Sequence, residues 1–426
     1  MELLFTLNLL LGIGSIFWPV WFSRSQLALP WVNPFTISLA VSLPVQLMKL
    51  LGGPLVLIDG GLFDVDYQLA LLMGTLLIAA QTLGLVFFLR LFGQIRIERY
   101  LPFQRLHLGS SGLWRAAAAT LLAFAVFFVL LATAEFGLGN WLGNPREGYQ
   151  LYRTGQGHWY AMALSTLSAS YLLTLLARPK PTTAIACSLF YALLSYFLGS
   201  KGTLLAFFVT GLVFLWFLKW KHLVRVFLIG TPLLFSALVY NLFLALGDGF
   251  DFQAILEYFD YYKNAADYYH AHLAGQLPLF WGEISLSSLW AYAPRALFPD
   301  KPVVYGILLV NEFFYPGQAE LTNTPAFGGA VEQYADFGLP GVIFFGFFSA
   351  QSVLTAMMSH LIFKRPGIGL NSVSGATVLL MLIQFAPAFG SYFPGWLFLA
   401  LVLVIMLIVR IAAARYRWLQ QPGSLA

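Results

Sequence analysis

Apolar runs of about 20 residues recur along the whole chain, separated by short clusters of charged residues, Gly and Pro. A helix needs about that length to cross the hydrocarbon core of a bilayer, where its backbone polar groups must be satisfied internally. The pattern predicts about eleven transmembrane helices, near residues 2–22, 31–52, 67–90, 114–136, 158–177, 183–198, 203–218, 226–246, 338–361, 370–388 and 394–410. The predicted fold class is therefore an all-α polytopic membrane protein.

The composition agrees with this fold class. Apolar residues make up 59% of the 426 residues and charged residues only 10%, whereas soluble domains carry about 25% charged residues. This excludes nucleic-acid-binding proteins and secreted disulfide scaffolds. The single cysteine, Cys187, excludes disulfides and cysteine-based metal sites. Glu2 stands where a signal peptide would carry basic residues, so residues 2–22 are expected to form the first transmembrane helix.

One long connection divides the chain into three parts. Residues 1–246 hold the first eight predicted helices, residues 247–337 form a loop domain, and residues 338–426 hold the last three helices and a short tail. Aromatic residues are dense in the first half of this loop, which can therefore bury apolar surface. Apolar positions spaced by three and four, from an N-cap at Asp251 to Leu273, predict an amphipathic helix that lies on the membrane or caps a cavity.

The basic residues predict the orientation, because Lys and Arg near helix ends are retained on the cytoplasmic side. An outer amino terminus places 16 of the 23 basic residues inside and the loop of residues 247–337 outside. Seven basic residues then lie outside against this bias, and each needs a reason. They are Lys49, Arg146, Arg153, Lys201, Lys263, Arg295 and Lys301.

Two motifs place outer cations where a phosphate could bind. LGSKGTLL sets Lys201 between Gly199 and Gly202, whose backbone N–H groups can approach an anion. WAYAPRALFPDKPVVYG brings Arg295 and Lys301 together on a proline-stiffened segment. The alternatives are a lysine that extends to the interface from a helix end and a local ion pair of Arg295 or Lys301 with Asp300.

A third motif, NTPAFGGAVEQYADFGLPG, supplies a candidate general base. Glu332 and Asp336 share a helix face, and a carboxyl group beside an apolar wall can have its pKa raised into the range of a base. Either carboxylate can equally be an ordinary interfacial residue. His158, at the start of the fifth predicted helix, is a second candidate base, although an isolated interfacial histidine is more often structural.

A short acidic sequence offers the alternative of metal chemistry. Asp64 and Asp66 in DGGLFDVD could hold a divalent cation on the first outer loop. Such acidic pairs are common in solvated loops, so we expect no metal and no other cofactor.

At GSKG, PRALFPDKP and the Asn-Thr-Pro segment with Glu332, the chain resembles the Wzy-type O-antigen and oligosaccharide repeat-unit polymerases. The resemblance runs from about residue 183 to residue 345. It implies a multi-pass, GT-C-like glycosyltransferase of the bacterial inner membrane whose active site faces the periplasm. The implied substrates are a donor and an acceptor glycan, both linked to undecaprenyl diphosphate. Membrane lipids surround the protein, and a chain-length regulator and a flippase are the protein partners that this family suggests.

For this reaction, the cations held outside against the topological bias and the outer carboxylates predict roles for individual residues, since a diphosphate anion gives such cations a reason. The donor diphosphate would be bound by Arg295 and Lys201, with Lys301 and Arg153 in support. Glu332 or, as the second choice, His158 would accept the proton of the acceptor hydroxyl. Aromatic rings suit the apolar faces of sugars, which makes substrate-binding candidates of Tyr262, Tyr269 and Trp281. A ligase that transfers the finished glycan and a flippase for lipid-linked sugars remain alternatives.

Overall fold

A computed structural model describes residues 2–25, 64–95, 110–151, 157–177, 180–200, 204, 207, 261–293, 295, 297–320 and 325–360. All regular secondary structure in these residues is helical. The first seven helices are α1 (Glu2–Ser25), α2 (Val65–Ile95), α3 (Ser110–Glu135), α4 (Leu138–Gly143), α5 (Pro145–Leu151), α6 (Gly157–Leu176) and α7 (Pro181–Tyr196). The others are α8 (Tyr262–Leu273), α9 (Glu283–Ser287), α10 (Leu308–Phe314), α11 (Val331–Phe347) and α12 (Ala350–Ser359), with 3₁₀ turns at Ser288–Tyr292 and Gln318–Glu320.

Three of these helices are long and apolar enough to cross a membrane: Leu3–Ser25, Val65–Ile95 and Ser110–Ala134. Met162–Leu175 and Thr182–Tyr196 are shorter apolar helices. These helices indicate a multi-pass membrane protein and match the first, third, fourth, fifth and sixth predicted spans. The predicted spans at 31–52, 203–218, 226–246, 370–388 and 394–410 lie outside the described residues.

The predicted ninth span, 338–361, differs from the structure. Helix α11 begins earlier, at Val331, and contains a non-helical residue, Gly338, with φ 65° and ψ −155°. Pro340 explains the break, because its ring excludes regular helical packing against the carbonyl group four residues earlier. The helix ends again before Ser349, whose side chain caps α12 by accepting a hydrogen bond from the Ser352 N–H group at 3.1 Å. The prediction of one continuous helix was therefore wrong.

Helices α1, α11 and α12 pack along α2 through polar and small residues. Two buried hydrogen bonds join the Asn8 amide of α1 to the backbone and side-chain oxygens of Gln68, at 2.6 and 2.7 Å. Gly84 faces the backbone carbonyl of Phe347, where any side chain would collide. Small residues allow such close approach of helices in a membrane, where hydrophobic burial alone does not drive association.

Helices α3, α6 and α7 pack together in a second apolar core. The Ser170 hydroxyl of α6 donates to the carbonyl of Ala117 at 2.7 Å and is 2.6 Å from the hydroxyl of Tyr191 on α7. Ser110 at the start of α3 donates to the carbonyl of Ala177 at the end of α6. These contacts make α3 and α6 antiparallel.

The directions of the helices agree with the predicted alternation of spans. Arg90 lies 5.7 Å above the ring of Phe22, near the ends of α2 and α1, so these two helices run parallel, as a first and a third span must. Helix α11 also runs parallel to α2, because Gly329 lies beside Ala70 and Gly346 beside Ala80. The side of the membrane on which each end lies stays a prediction, as do the domain boundaries at residues 246 and 337.

The predicted amphipathic helix is present over Tyr262–Leu273 as α8, and residues 251–260 lie outside the described residues. The apolar face of α8 packs against other helices. Tyr262, Ala265, Ala266, Tyr268, Tyr269 and Ala271 are buried in one core with the first turns of α2 and α11. Helix α8 therefore covers the ends of both long helices.

Candidate active site

A tight turn before α9 is fixed to the first half of α11. The N–H groups of Phe280 and Trp281 donate to the carbonyls of Ala335 and Asp336, at 2.8 and 3.0 Å. These carbonyls lie just before the break at Gly338, where the helix no longer supplies them with regular partners. The break in α11 therefore makes available the two carbonyl groups to which this turn binds.

The carboxylate of Asp336 completes this connection. It accepts hydrogen bonds from the N–H groups of Gly282, Ile284 and Ser285, at 3.1, 3.0 and 2.9 Å, and from the Ser285 hydroxyl. These N–H groups open α9, and a carboxylate satisfies donors that no helix can satisfy internally. Asp336 is fully buried. Its role in the structure is to hold α9 against α11.

Glu332, one turn before Asp336, has a different environment. The residue is half-buried, and its side chain makes no hydrogen bond or ion pair with a described residue. Burial, together with the nearby charge of Asp336, raises the pKa of Glu332 to about 7. A carboxyl group with this pKa can take up a proton near neutral pH.

The segment before Glu332 is fixed from outside its own helix. Gly329 and Ala330 both have left-handed backbone conformations, with φ 57° and 60°. The hydroxyl of Tyr269 donates to the Gly329 carbonyl at 2.5 Å, and the N–H group of Gly328 donates to the Tyr261 carbonyl at 2.8 Å. Helix α8 thus sets the position at which the helix of Glu332 begins.

Tyr262 and Tyr269 lie in the interior, packed between helices, and their contact with substrate stays a prediction. Tyr269 has no exposed surface, and the ring of Tyr262 is buried against Gly74 and Gly328. The spacing that predicted an amphipathic helix here is what packs α8 onto α2. Trp281 is the opposite case, because its side chain is 76% exposed. Its backbone is left-handed, with φ 50°, and the bond from its N–H group to Asp336 holds this conformation.

Arg295 and Lys301 each donate a hydrogen bond to a backbone carbonyl group on the other side of the proline-rich loop. Arg295 donates from Nη1 to the Lys301 carbonyl at 2.7 Å, and Lys301 donates from Nζ to the Ala293 carbonyl at 3.2 Å. The ammonium group also lies 4.9 Å above the ring of Tyr305. Burial and the charge of Arg295 both lower the pKa of Lys301.

Neither cation of this loop forms a salt bridge with a described carboxylate. The local ion pair with Asp300, which the sequence left open, is therefore absent in the described part of the chain. These two cations are held close together by backbone carbonyl groups, with no carboxylate paired to them in the described ranges, and an oxyanion is the ligand that such a pair attracts.

A chain of contacts connects this cation pair to the helix of Glu332. Tyr305, beneath Lys301, precedes Gly306, whose N–H group donates to the Ser287 hydroxyl at 2.8 Å. Ser287 ends α9, and α9 is held by Asp336. The prolines fix the loop, the serine joins it to α9, and Asp336 joins α9 to α11. The cations and the carboxyl group thus share one framework.

Gly199 and Ser200, the first two residues of the GSKG motif, follow the end of α7. The indole of Trp141 donates to the Phe197 carbonyl at 2.7 Å, and Gly199, with φ 72°, packs directly on the Pro145 carbonyl and Tyr149. Lys201 and Arg153 lie outside the described residues, as does the side chain of His158, whose backbone lies in the first turn of α6. Their predicted roles stay predictions.

Half of the chain is similar to known proteins. Over 225 residues it is 29% identical to the O-antigen polymerase of Salmonella typhimurium and, equally, to that of Salmonella typhi. Over these residues it is a distant homologue of O-antigen polymerases. The alignment covers 52% of this chain and 53% of each relative, so the chain spans about half the length of the curated relatives that it matches. No family model matches the chain, and no solved structure matches it.

This homology confirms the resemblance that the three motifs indicated. The homology assigns no role to an individual residue, so the candidate site is defined by the geometry of the described residues. Nothing in the sequence indicates that Asp336 anchors α9, because its partners lie about 50 residues earlier in the chain. Tyr305 was missed as well, although a ring four residues after Lys301 in a short loop was a usable indication.

The acidic sequence near residue 64 has structural partners. Asp64 caps α2 by accepting the N–H group of Tyr67 at 2.7 Å, and Asp66 lies 2.8 Å from Nδ1 of His270. Within the described ranges, no three His, Cys, Asp or Glu residues group in a way that could hold a metal ion. The contact between Asp66 and His270 thus joins α2 to α8.

Proposed function

We propose that the protein polymerises glycan repeat units carried on undecaprenyl diphosphate, working at the periplasmic face of the bacterial inner membrane. The observation that carries the chemistry is the Arg295–Lys301 pair, which has no carboxylate partner among the described residues, on the same framework as Glu332, whose carboxyl group has no hydrogen-bond partner among them either. The homology to proteins named O-antigen polymerases supports polymerisation over transfer to another acceptor.

The proposed reaction is a single displacement at the anomeric carbon of the donor. The oxygen of an acceptor-sugar hydroxyl forms the new glycosidic bond while the bond from the anomeric carbon to the diphosphate oxygen breaks. Undecaprenyl diphosphate leaves with the bonding electron pair, and the acceptor proton moves to Glu332. Because diphosphate is a good leaving group, the protein contributes mainly positioning and charge stabilisation.

Each proposed role follows from the chemistry of the residue. Arg295 and Lys301 stabilise the charge that develops on the diphosphate, with Lys201 and Arg153 as further donors and no metal or other cofactor. Glu332 acts as the base, with His158 as the alternative. Trp281 offers an exposed aromatic face to a sugar, whereas Tyr262 and Tyr269 position the elements around Glu332. A flippase that delivers the substrate and a chain-length regulator are the proposed protein partners.

Variants at Arg295 and Glu332 test these roles through different steps. Arg295→Ala should slow polymerisation about 10- to 150-fold, since a charge-assisted hydrogen bond contributes about 1.5 to 3 kcal/mol. Arg295→Lys should recover little, because lysine cannot reproduce the planar fork of arginine. Glu332→Gln should lower turnover while donor binding is unchanged, because a base acts on the acceptor in the transition state.

The measurements are turnover and donor binding by purified protein with a lipid-linked repeat unit. Lys263→Ala is the matched control, since Lys263 is an exposed cation of the same predicted outer segment. Normal chain lengths and yield in Arg295→Ala would refute the diphosphate assignment. Weakened donor binding as the main defect of Glu332→Gln would refute the assignment of the base.

A further inference from the structure

Large apolar side chains are exposed together in the segment between α9 and the cation pair. Leu297 is 74% exposed and Leu286 60%, and the exposed rings of Trp290 and Phe298 pack edge to face with centroids 6.2 Å apart. Scattered exposed apolar residues need no explanation, but a group in one short segment marks an interaction surface. We call Leu286, Trp290, Leu297 and Phe298 the apolar patch.

Cations occur within the same segment. Arg295 and Lys301 flank Leu297 and Phe298 in the sequence, and neither has a carboxylate partner among the described residues. Aromatic and aliphatic side chains interleaved with unpaired Arg and Lys are typical of segments at the boundary between lipid tails and head groups. The tails receive the apolar groups there, and the phosphates of the head groups compensate the cations.

The attachment of the segment to α11 supports a position at this boundary between lipid tails and head groups. Residues 280–285 are bonded to Ala335 and Asp336, and Phe337 packs against Gly282. Directly after the break at Gly338, α11 exposes Leu339, Ile343 and Phe344, a face suited to lipid. The segment is therefore fixed to α11 at the point where its lipid-suited face begins.

From these observations we infer that the apolar patch inserts into the outer leaflet of the phospholipid bilayer, with Arg295 and Lys301 at the depth of the lipid phosphates. Insertion of the apolar patch is a separate property from glycan transfer, and the depth of the patch can be measured without turnover. It would bring the cation pair to the level at which the diphosphate of a lipid-linked substrate lies. A docking surface for a second protein is the competing explanation.

Spin labels report this depth directly. Leu297→Cys and Leu286→Cys, each in the full-length chain with Cys187→Ser, would be labelled in vesicles of phosphatidylethanolamine and phosphatidylglycerol. Molecular oxygen concentrates within the bilayer, whereas a nickel chelate stays in water. Leu273→Cys is the matched control, because Leu273 is 62% exposed at the end of α8 and lies outside the patch.

The inference predicts that labels at 297 and 286 collide more with oxygen than with nickel, and that the label at 273 shows the reverse. Higher nickel accessibility at 297 and 286 would place the patch in water and overturn the inference. Shielding of both labels from both reagents would show a covering protein and would overturn it equally. A Cys187→Ala background replaces Cys187→Ser if the latter does not insert. Loss of glycan transfer with the predicted depths intact would count against the proposed function alone.

Discussion

Two carboxyl groups one helical turn apart on α11 have opposite tasks. Asp336 is fully buried and accepts four hydrogen bonds, whereas Glu332 has no hydrogen-bond partner among the described residues. The sequence placed both on one helix face and indicated that such a carboxyl could have a raised pKa. It did not distinguish them, because the partners of Asp336 come from a distant turn whose approach depends on the break at Gly338.

Stability measurements should separate these two residues. Asp336→Asn should cost about 2 kcal/mol or more, because an amide cannot accept all the bonds that a carboxylate accepts. The corresponding change one turn earlier, Glu332→Gln, should instead stabilise the protein, since it removes a carboxyl group that is costly to ionise. Thermal unfolding in detergent checks both variants. Equal Tm shifts for the two substitutions would contradict the distinction.

The stabilisation by Glu332→Gln should depend on pH. The pKa of Glu332 is raised from 4.5 to about 7, so the folded protein holds this proton more tightly than the unfolded chain does. The cost of ionising Glu332 therefore grows as the pH rises from about 4.5 to about 7 and is constant above. The advantage of Glu332→Gln in Tm should be larger at pH 8 than at pH 5.

The rate of glycan transfer should follow the same ionisation. Because a base must be deprotonated, kcat/KM should rise with pH and level off above about 7. Glu332→Gln should lose this rise and about 100- to 10,000-fold in rate. The measurement is the pH dependence of transfer by both proteins. A profile that keeps its rise near pH 7 in the variant would assign that ionisation to another group, with His158 as the first candidate.

At the scale of elements, α8 determines where α11 begins. The Tyr269 hydroxyl is bonded to the Gly329 carbonyl, three residues before Glu332. The aromatic periodicity predicted a helix at these residues, and it is present. The periodicity could not tell which partner the apolar face would meet, because membrane and protein both accept apolar side chains. It is the glycines at 328 and 329 that admit α8 to this position.

Two neighbouring tyrosines test the joint between α8 and α11. Tyr269→Phe removes the hydrogen bond to Gly329. It should lower the free energy of unfolding by about 1 kcal/mol, and Tm should fall accordingly. It should also lower kcat while donor binding is unchanged, because the start of the helix that carries Glu332 is no longer fixed. Tyr268→Phe is the matched control, since the buried Tyr268 hydroxyl has no hydrogen-bond partner in the described part of the chain. An equal loss in both variants would exclude a specific role for the Tyr269 bond.

Apolar run lengths predicted the described long helices, and the alternation of the spans predicted their relative directions. Runs of about 20 residues are a direct consequence of bilayer thickness, so this part of the fold is readable from sequence. The break in α11 was not predicted, because Gly338 and Pro340 carry no charge and do not interrupt the apolar run in which they lie. The predicted loop of residues 247–337 is, in its described residues, a set of short helices folded onto the ends of α2 and α11.

We propose that this protein joins lipid-linked repeat units to one another. Purified protein in vesicles, supplied only with a repeat unit on undecaprenyl diphosphate, tests it most directly when the products are separated by length. We predict a ladder of products that differ by one repeat unit and that is lost in Arg295→Ala and Glu332→Gln. A single transfer to a different acceptor would indicate a ligase, movement of the substrate across the membrane without new bonds would indicate a transporter, and either result would contradict the claim.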